Sequence, residues 1–363
     1  MNAAPIQPNT PQEANEAAAT LAWSLLPQEW RDLCARERQP AFRAKQIWRG
    51  LYQQRLEHWD AFTTLPADWR ARLAVRHPIN PWHAIETRRA ADGVTKLLLA
   101  CRDGEQIETV LIPAPERLTI CVSTQAGCAF GCAFCATGQG GFVRNLEAGE
   151  IVGQFMAASR VAPRRISHIV VMGMGEPFAN YDATLRAIRV FNDYDGLGIG
   201  ARRITISTCG VVPGIARLAV ENLQVELSVS LHAATDELRS QLLPVNRRWP
   251  LAELLQACRD YMERTGRIVT FEYTLVAGVN DGAEQADALL ACARSVQGRV
   301  NLIPLSPVEG YAGDPPSPDA CEAFAARLRD GGVNVTLRRS RGGGIDAACG
   351  QLRLRRRQQA PGA

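Results

Sequence analysis

Nowhere in these 363 residues is there an unbroken run of the roughly 18 apolar side chains that a membrane span requires. Met1 to Thr20, rich in Asn, Gln, Pro and Ala, lacks the basic start and apolar stretch of a secretory leader and reads as a disordered tail over 1–20. A cytoplasmic protein without membrane contact is therefore expected. The cysteine density of a disulfide-stapled secreted domain is also missing: the 11 cysteines are few, unevenly spaced and odd in number. In a reducing compartment, clustered cysteines point to metal or redox chemistry instead. Charge of one sign is scarce too. A net charge of +4 and an isoelectric point near 8.5 fit an RNA-binding protein without identifying one. What is present is ordinary for a globular chain, 46% hydrophobic and 21% charged, with room for one large domain and a smaller one.

Between residues 21 and 76 apolar side chains recur at helical spacing, with Phe42, Ile47, Trp48, Leu51 and Tyr52 in one stretch and Phe62, Leu65, Trp69 and Leu73 in another. Aromatics so spaced belong to a core, so a small helical domain is expected over 21–90, with Arg43, Lys45, Arg49, Arg70 and Arg72 on its solvated face. Residues 94–100 and 106–112 flank the turn Arg102-Asp103-Gly104 and predict a β-hairpin, read as a linker over 91–117. Over 118–349, short β-rich runs alternate with amphipathic stretches. Strands are predicted at 118–123, 167–173, 203–208, 225–231, 268–276, 299–304 and 333–338. The helices between them are predicted at 147–160, 181–192, 213–221, 250–264, 282–295 and 318–330. Six strand-then-helix units with right-handed crossovers give an α/β fold, a partial (β/α)6 barrel whose chemistry sits at the carboxyl ends of its strands. A basic tail, 350–363, follows.

The loop after the first barrel strand carries Cys128, Cys132 and Cys135 in a C-x-x-x-C-x-x-C spacing. Thiolates are soft ligands suited to iron–sulfur clusters or zinc. A structural zinc site closes on four ligands, generally as two C-x-x-C pairs, and no second pair follows. Three ligands leave one position open. An open iron of a 4Fe-4S cluster is one that the amino and carboxylate groups of S-adenosylmethionine can chelate. After the second strand, Gly173-Met174-Gly175-Glu176-Pro177 lets the backbone approach a ligand at Gly175, and Glu176 can accept from the cofactor's amine. Ser207 on the third strand and Ser230-Leu231-His232 on the fourth offer hydrogen bonds to a ribose or carboxylate. Cys34, Cys101, Cys209, Cys258, Cys292 and Cys321 read as small buried hydrophobes. Cys349, in a Gly-rich loop followed by Arg353-Leu354-Arg355-Arg356-Arg357, is the better candidate for a reactive thiol beside a polyanion site.

Taken together these residues resemble the radical S-adenosylmethionine methyltransferases that modify adenosine in 23S ribosomal RNA, over about residues 25–352. The resemblance is carried by Cys121-Val122-Ser123-Thr124-Gln125-Ala126-Gly127-Cys128, Gly140-Gly141-Phe142-Val143-Arg144-Asn145-Leu146, Gly173 to Pro177, and Asp346-Ala347-Ala348-Cys349-Gly350-Gln351. It implies that a first S-adenosylmethionine methylates Cys349 and a second yields a 5′-deoxyadenosyl radical. The radical takes hydrogen from the S-methyl group, and the resulting carbon radical adds to the base. It implies that Glu108 removes the proton for release and that Cys121 resolves the adduct as a disulfide with Cys349. Gly175, Glu176, Ser207 and Ser230 to His232 are implied to contact S-adenosylmethionine. At the sixth strand the family's asparagine is replaced by Ser306, which keeps one hydrogen bond but not the paired donor and acceptor of an amide.

The expected reaction is methylation of adenine C2 in ribosomal RNA, with transfer RNA as a second substrate candidate. Cluster and S-adenosylmethionine are the expected cofactors, and the enzyme is expected to act as a monomer supplied by an electron donor such as flavodoxin. The helical domain 21–90 resembles the family's RNA-engaging accessory domain. Adenine-C8 methylation by the resistance branch of the same group is the competing reading. From other classes come a zinc-stabilised RNA-binding protein without activity and a radical enzyme acting on a small molecule or peptide.

Overall fold

The computed structural model describes residues 19–308 and 310–338. The loop bearing Cys349, the Cys121–Cys349 pair and the basic tail therefore lie outside the described residues.

The N-terminal part is helical. A 3-10 turn at Ala22–Ser24 precedes α1 (Pro27–Arg36), α2 (Phe42–Tyr52) and α3 (Ala67–Arg76). Pro27 opens α1 at a position where no amide donor is needed, and Glu29 closes the first turn by accepting from Leu26 N at 2.7 Å. Ile47, Trp48, Leu51, Tyr52, Phe62, Leu65, Trp69 and Leu73 are buried, as the spacing predicts, and Trp23, Trp30 and Trp59 join them. Phe42 is the correction: it is 58% exposed and lies under the Arg43 guanidinium, 5.1 Å from its centroid. The helical part docks on the barrel through polar anchors. Ser24 Oγ accepts from Gly149 N at 2.8 Å and Trp48 Nε1 donates to Asp193 Oδ1 at 3.0 Å. One continuous hydrophobic core runs through both parts.

Ten strands form one sheet in the order β1 (His83–Arg89), β2 (Thr95–Ala100), β3 (Gln106–Ala114), β4 (Arg117–Cys121), β7 (His168–Val171), β8 (Ile204–Thr208), β9 (Glu226–Ser230), β10 (Thr270–Leu275), β11 (Arg299–Pro304) and β12 (Val335–Leu337). From β4 onward every pair is parallel, and among the described residues β12 does not close on β1, so the barrel is partial. The hairpin β2–β3 is continuous with this sheet, since β3 pairs antiparallel with β4. It extends the barrel wall where the sequence suggested a linker. Strand β1 falls within 21–90, where helix was expected. Its charged residues Glu86, Arg88 and Arg89 mark a polar edge strand without the alternation that a half-buried strand shows.

A separate two-stranded ribbon, β5 (Gln125–Gly127) with β6 (Phe142–Asn145), frames the cysteine loop around the short helix α4 (Ala136–Gln139). The crossover helices are α5 (Ala148–Val161), α6 (Tyr181–Asn192), α7 (Val212–Leu218), α9 (Leu251–Thr265), α10 (Ala283–Val296) and α11 (Pro318–Asp330). An additional short helix, α8 (Asp236–Leu242), is capped by Thr235, whose hydroxyl accepts from Leu238 N at 3.4 Å. Its seven residues are too few and too polar for helical periodicity to register. Among the described residues no helix is long and apolar enough to cross a membrane.

Candidate active site

Directly paired residues share one face of a sheet, and alternate residues along a strand return to it. The pairs Lys96–Val110, Val110–Cys121, Cys121–Val170 and Val170–Thr205 therefore put Glu108 and Cys121 on the same face as Ser207, Ser228 and Ser230. Pairs Ser230–Glu272 and Glu272–Asn301 carry that face to β11. The opposite face is apolar, with Leu227, Val229, Phe271, Tyr273 and Leu302 buried against helices. The polar face is thus the inside of the barrel.

Two candidate catalytic residues sit there. Glu108 is buried with Lys96, whose Nζ lies 2.6 Å from Glu108 Oε2. Cys121 ends β4, half-buried. Burial pushes its thiol up to about 11, aided by the charge of Glu108 and opposed by a backbone hydrogen bond from Met172 and the cations Arg338 and Lys96. Removing one member of a buried ion pair leaves the other charge uncompensated. Lys96→Met is accordingly expected to cost about 3–5 kcal/mol in urea unfolding, and Lys96→Met/Glu108→Leu to recover most of it. A single-variant loss below ~1 kcal/mol would mean that the pair is not dry.

The cysteine loop leaves the ribbon at Gly127, where φ is +86° and a Cβ would lie 1.9 Å from Gly141 O. Cys128 N donates to Gly141 O at 2.9 Å, which seats the first thiol at the ribbon's mouth. Ala133 N donates to Leu242 O at 2.9 Å and Cys135 N to Cys132 O at 3.2 Å, folding the other two over the end of α8. Burial pushes the Cys128 thiol up to about 12, with the charges of Cys135 and Glu176 adding to the shift. Cys132 is pushed up further by burial, then by Cys135, Cys128 and Glu176, against Arg239. The thiols are therefore close enough to resist one another's ionisation. Among the described residues no three His, Cys, Asp or Glu side chains are yet drawn round a common metal position. A soft three-sulfur donor set, with Cys128 and Cys132 resisting the loss of their protons, fits an iron–sulfur cluster, whose irons would displace protons and offset the repulsion.

The rim continues at Gly175, with φ +95°, where a Cβ would lie 2.5 Å from Gln125 Cβ. Glu176 N donates to Gln125 Oε1 at 2.8 Å. Glu176 is buried, and its carboxylate accepts from Phe178 N at 3.0 Å and Cys209 N at 2.8 Å, joining the second and third strand ends. Burial raises its pKa, and those hydrogen bonds resist the rise. Lone pairs remain on both oxygens for a further donor. Thr124 Oγ1, on the same loop system, is buried without a hydrogen-bond partner. Ser207 and Ser230 are half-buried on the inner face. Leu231 turns its side chain into the core, while its N donates to Glu272 O at 3.0 Å and its O accepts from Arg239 Nε at 3.2 Å. His232, at φ +57°, accepts at Nδ1 from Thr274 N at 2.9 Å and stands edge-on to Phe134, 5.0 Å between centroids. Burial holds its pKa down to about 3, so the ring is neutral with its proton on Nε2, free to donate. Ser306 is exposed just past β11.

The sequence reading missed four residues of this chamber. Lys96 and Glu272 are charges inside apolar strands, a signal that was available. Glu272 accepts from Ser228 Oγ at 3.2 Å and Asn301 Nδ2 at 2.7 Å, so Asn301 is the amide within β11 that faces inward. Arg239 is fully buried, donating to Cys209 O at 2.7 Å, Asn246 Oδ1 at 2.8 Å and Ser230 O at 3.2 Å. Cys209, expected to be an inert buried thiol, is buried but lies against Glu176, and its ionisation feels Cys128 and Cys132.

Three thiols on the first-strand loop of a partial parallel barrel, with a glycine-lined rim beside them, define a radical S-adenosylmethionine enzyme. Residues 122–290 match the radical SAM superfamily. A radical SAM methyltransferase of Sphaerobacter thermophilus has the same structure, with a TM-score of 0.88 and 48% identity over 92% of this chain and 98% of that one. The chain is 50% identical over 345 residues to a dual-specificity RNA methyltransferase RlmN of Moorella thermoacetica, covering 92% of this chain and 97% of the relative. It is 48% identical to the RlmN of Symbiobacterium thermophilum, covering 92% and 91%. The chain belongs to the RlmN family of RNA methyltransferases. It is a radical SAM RNA methyltransferase whose cofactors are a 4Fe-4S cluster and S-adenosylmethionine.

Proposed function

We propose that this enzyme methylates C2 of an adenosine in 23S ribosomal RNA, and in transfer RNA, through an S-methyl group carried by Cys349. The observation that carries this reading is the common inward face of Cys121 and Glu108, one thiol and one carboxylate inside the barrel next to the cysteine loop. Cys128, Cys132 and Cys135 would hold the cluster, which with bound S-adenosylmethionine supplies one-electron chemistry. Gly175, Glu176, Ser207, Ser230, Leu231, His232 and Ser306 would line the S-adenosylmethionine site. In that assignment Glu176 accepts from its amine, His232 Nε2 donates, and Leu231 serves only to shape the wall. Glu108 takes the proton from the adduct, with Lys96 holding its carboxylate in place. Once the adduct radical has lost its odd electron and that proton, the Cys121 thiolate would attack Cys349 sulfur: the S–S bond forms as the Cys349 S–CH2 bond breaks, and the released carbon takes up a proton to become the methyl group of the product.

Names of the relatives support a dual RNA substrate, and the overall match to the housekeeping group supports C2 over C8. An RNA substrate supports a cytoplasmic location, and we assign the enzyme as a monomer reduced by a flavodoxin-class donor. Ribosomal and transfer RNA incubated with enzyme, S-adenosylmethionine and reductant are expected to acquire 2-methyladenosine by mass mapping. Finding 8-methyladenosine alone would move the assignment to the C8 branch.

A further inference from the structure

We propose that the floor of the barrel, the face opposite the cysteine loop, is a second RNA-contact surface that grips phosphate backbone through arginines and receives an unpaired base on Tyr194. The proposal rests on RNA being the substrate and adds where else that RNA is held.

In a parallel sheet all strands begin on one edge. Thr119 pairs with His168 and Ile169 with Ile204, which sets Arg117 and Arg203 on either side of His168. Thr270 pairs with Arg299, which brings Arg299 beside the approach to β10 that carries Arg267. The charges confirm the crowding. His168 is held below its ordinary pKa by burial and then by Arg117 and Arg203, and Arg267 by burial and then by Arg202 and Arg299. Arg267 has Glu226 as a partner. By contrast Arg117, Arg165, Arg202, Arg203 and Arg299 are exposed and have no ion pair or side-chain hydrogen bond among the described residues. The segments that lead into the strands on this edge also carry Glu116, Asp193, Asp195, Glu221 and Asp330; Asp193 accepts from Trp48 Nε1 and Glu221 pairs with Arg189, so neither neutralises these arginines.

Arginines in the last turn of a helix are commonly explained by its dipole. Arg117, Arg165 and Arg299 sit instead at strand entries and loops, and Arg202 and Arg203 end a 3-10 turn of three residues, too short to carry an appreciable dipole. Of the 41 cationic residues only Lys45 and Lys96 are lysine, so the floor is built from the planar fork that pairs two donors with a phosphate.

Tyr194 supplies an independent observation, being 92% exposed on the loop between α6 and β8. That loop is firmly held. Gly196 N and Gly198 N both donate to Asp193 O, at 3.1 and 3.0 Å, and Gln53 Nε2 donates to Asp195 O at 3.2 Å. An exposed ring on a braced loop, where a Cβ at Gly198 would lie 3.8 Å from Tyr194 O and 3.9 Å from the Arg165 guanidinium, is a stacking platform for a base. An acidic electron-donor protein suits the charge but not the place. The five residues of β8 separate floor from rim by about 16 Å, and a donor must bring its cofactor close to the cluster.

The test uses the cluster-loaded full chain with Arg165→Gln, Arg202→Gln, Arg203→Gln and Arg299→Gln combined, and separately Tyr194→Ala. Binding is measured over a series of salt concentrations to a long 23S ribosomal RNA transcript and to the shortest stem-loop of it that is still methylated. For the long transcript the slope of log affinity against log salt should fall by about 3, and affinity near 0.1 M salt by about ten-fold or more. Tyr194→Ala should weaken the same binding about five-fold or more. Binding and methylation of the stem-loop should not change. An unchanged slope for the long transcript, or an equal loss on the stem-loop, would overturn the proposal. So would unchanged RNA binding with slower cluster reduction by flavodoxin, which would give the face to a protein partner. Failure of wild-type enzyme to methylate any RNA would instead refute the substrate reading.

Discussion

Alanine at any one of Cys128, Cys132 and Cys135 is expected to give colourless protein that binds no iron and forms no 5′-deoxyadenosine from S-adenosylmethionine. The donor set has no spare member. The loop that carries the three thiols is held by backbone bonds from Cys128 N to Gly141 O, Ala133 N to Leu242 O and Cys135 N to Cys132 O. The nearest other thiol, Cys209, lies on a different strand end, buried and hydrogen-bonded with Glu176. Activity should fall to background, a drop of about six orders of magnitude or more. Because Cys128 is held protonated up to about 12, cluster uptake by the metal-free chain should release protons and speed up as pH rises. Iron retained with full cofactor cleavage in a Cys132→Ala/Cys209→Ala variant would refute this cradle. Colourless wild-type protein with stoichiometric zinc would do the same.

Losing Cys121 and losing Cys349 should stop the reaction at different points. Cys349→Ala removes the acceptor of the first methyl group, so neither methylated protein nor covalent RNA complex should form. Cys121→Ala keeps that acceptor but removes the resolving thiol, so enzyme crosslinked to RNA should accumulate on a denaturing gel. The double variant should show none. The thiolate is the attacking form, and Cys121 is held protonated up to about 11 by burial. Below that value each unit of pH raises the thiolate fraction, so resolution of the adduct in wild-type enzyme should accelerate by about ten-fold per unit between pH 6 and 9. Identical behaviour of the two single variants, with no trapped complex, would refute the division of labour.

The local signals and the cooperative ones differ in kind. The cysteine spacing, the Gly175-Glu176 turn and the strand–helix alternation are each contained in a dozen or so residues, because ligand spacing and amphipathic period are properties of a short segment. They sufficed to predict the partial barrel and the rim. Strand ends moved by a few residues: the first barrel strand stops at Cys121, because Ser123 N is taken by Gln154 Oε1 at 2.7 Å and the chain turns away from the ladder.

The tertiary structure alone decided what meets inside. That Glu108 pairs with Lys96, that Glu176 spans two strand ends, and that Asn301 rather than Ser306 presents an inward amide on β11 all depend on register between strands far apart in the chain. A one-residue slip would turn each of these to the other face. The same holds for the arginine floor, whose members are scattered singly from Arg117 to Arg299 and become a surface only when parallel strands begin on one edge. By itself the sequence determined the cysteine spacing, the turn glycines and the strand–helix alternation, which are short-range consequences of residue type. Which side chains face one another across the barrel was decided by long-range pairing, because burial of one apolar face per strand selects the register only once the whole sheet is assembled.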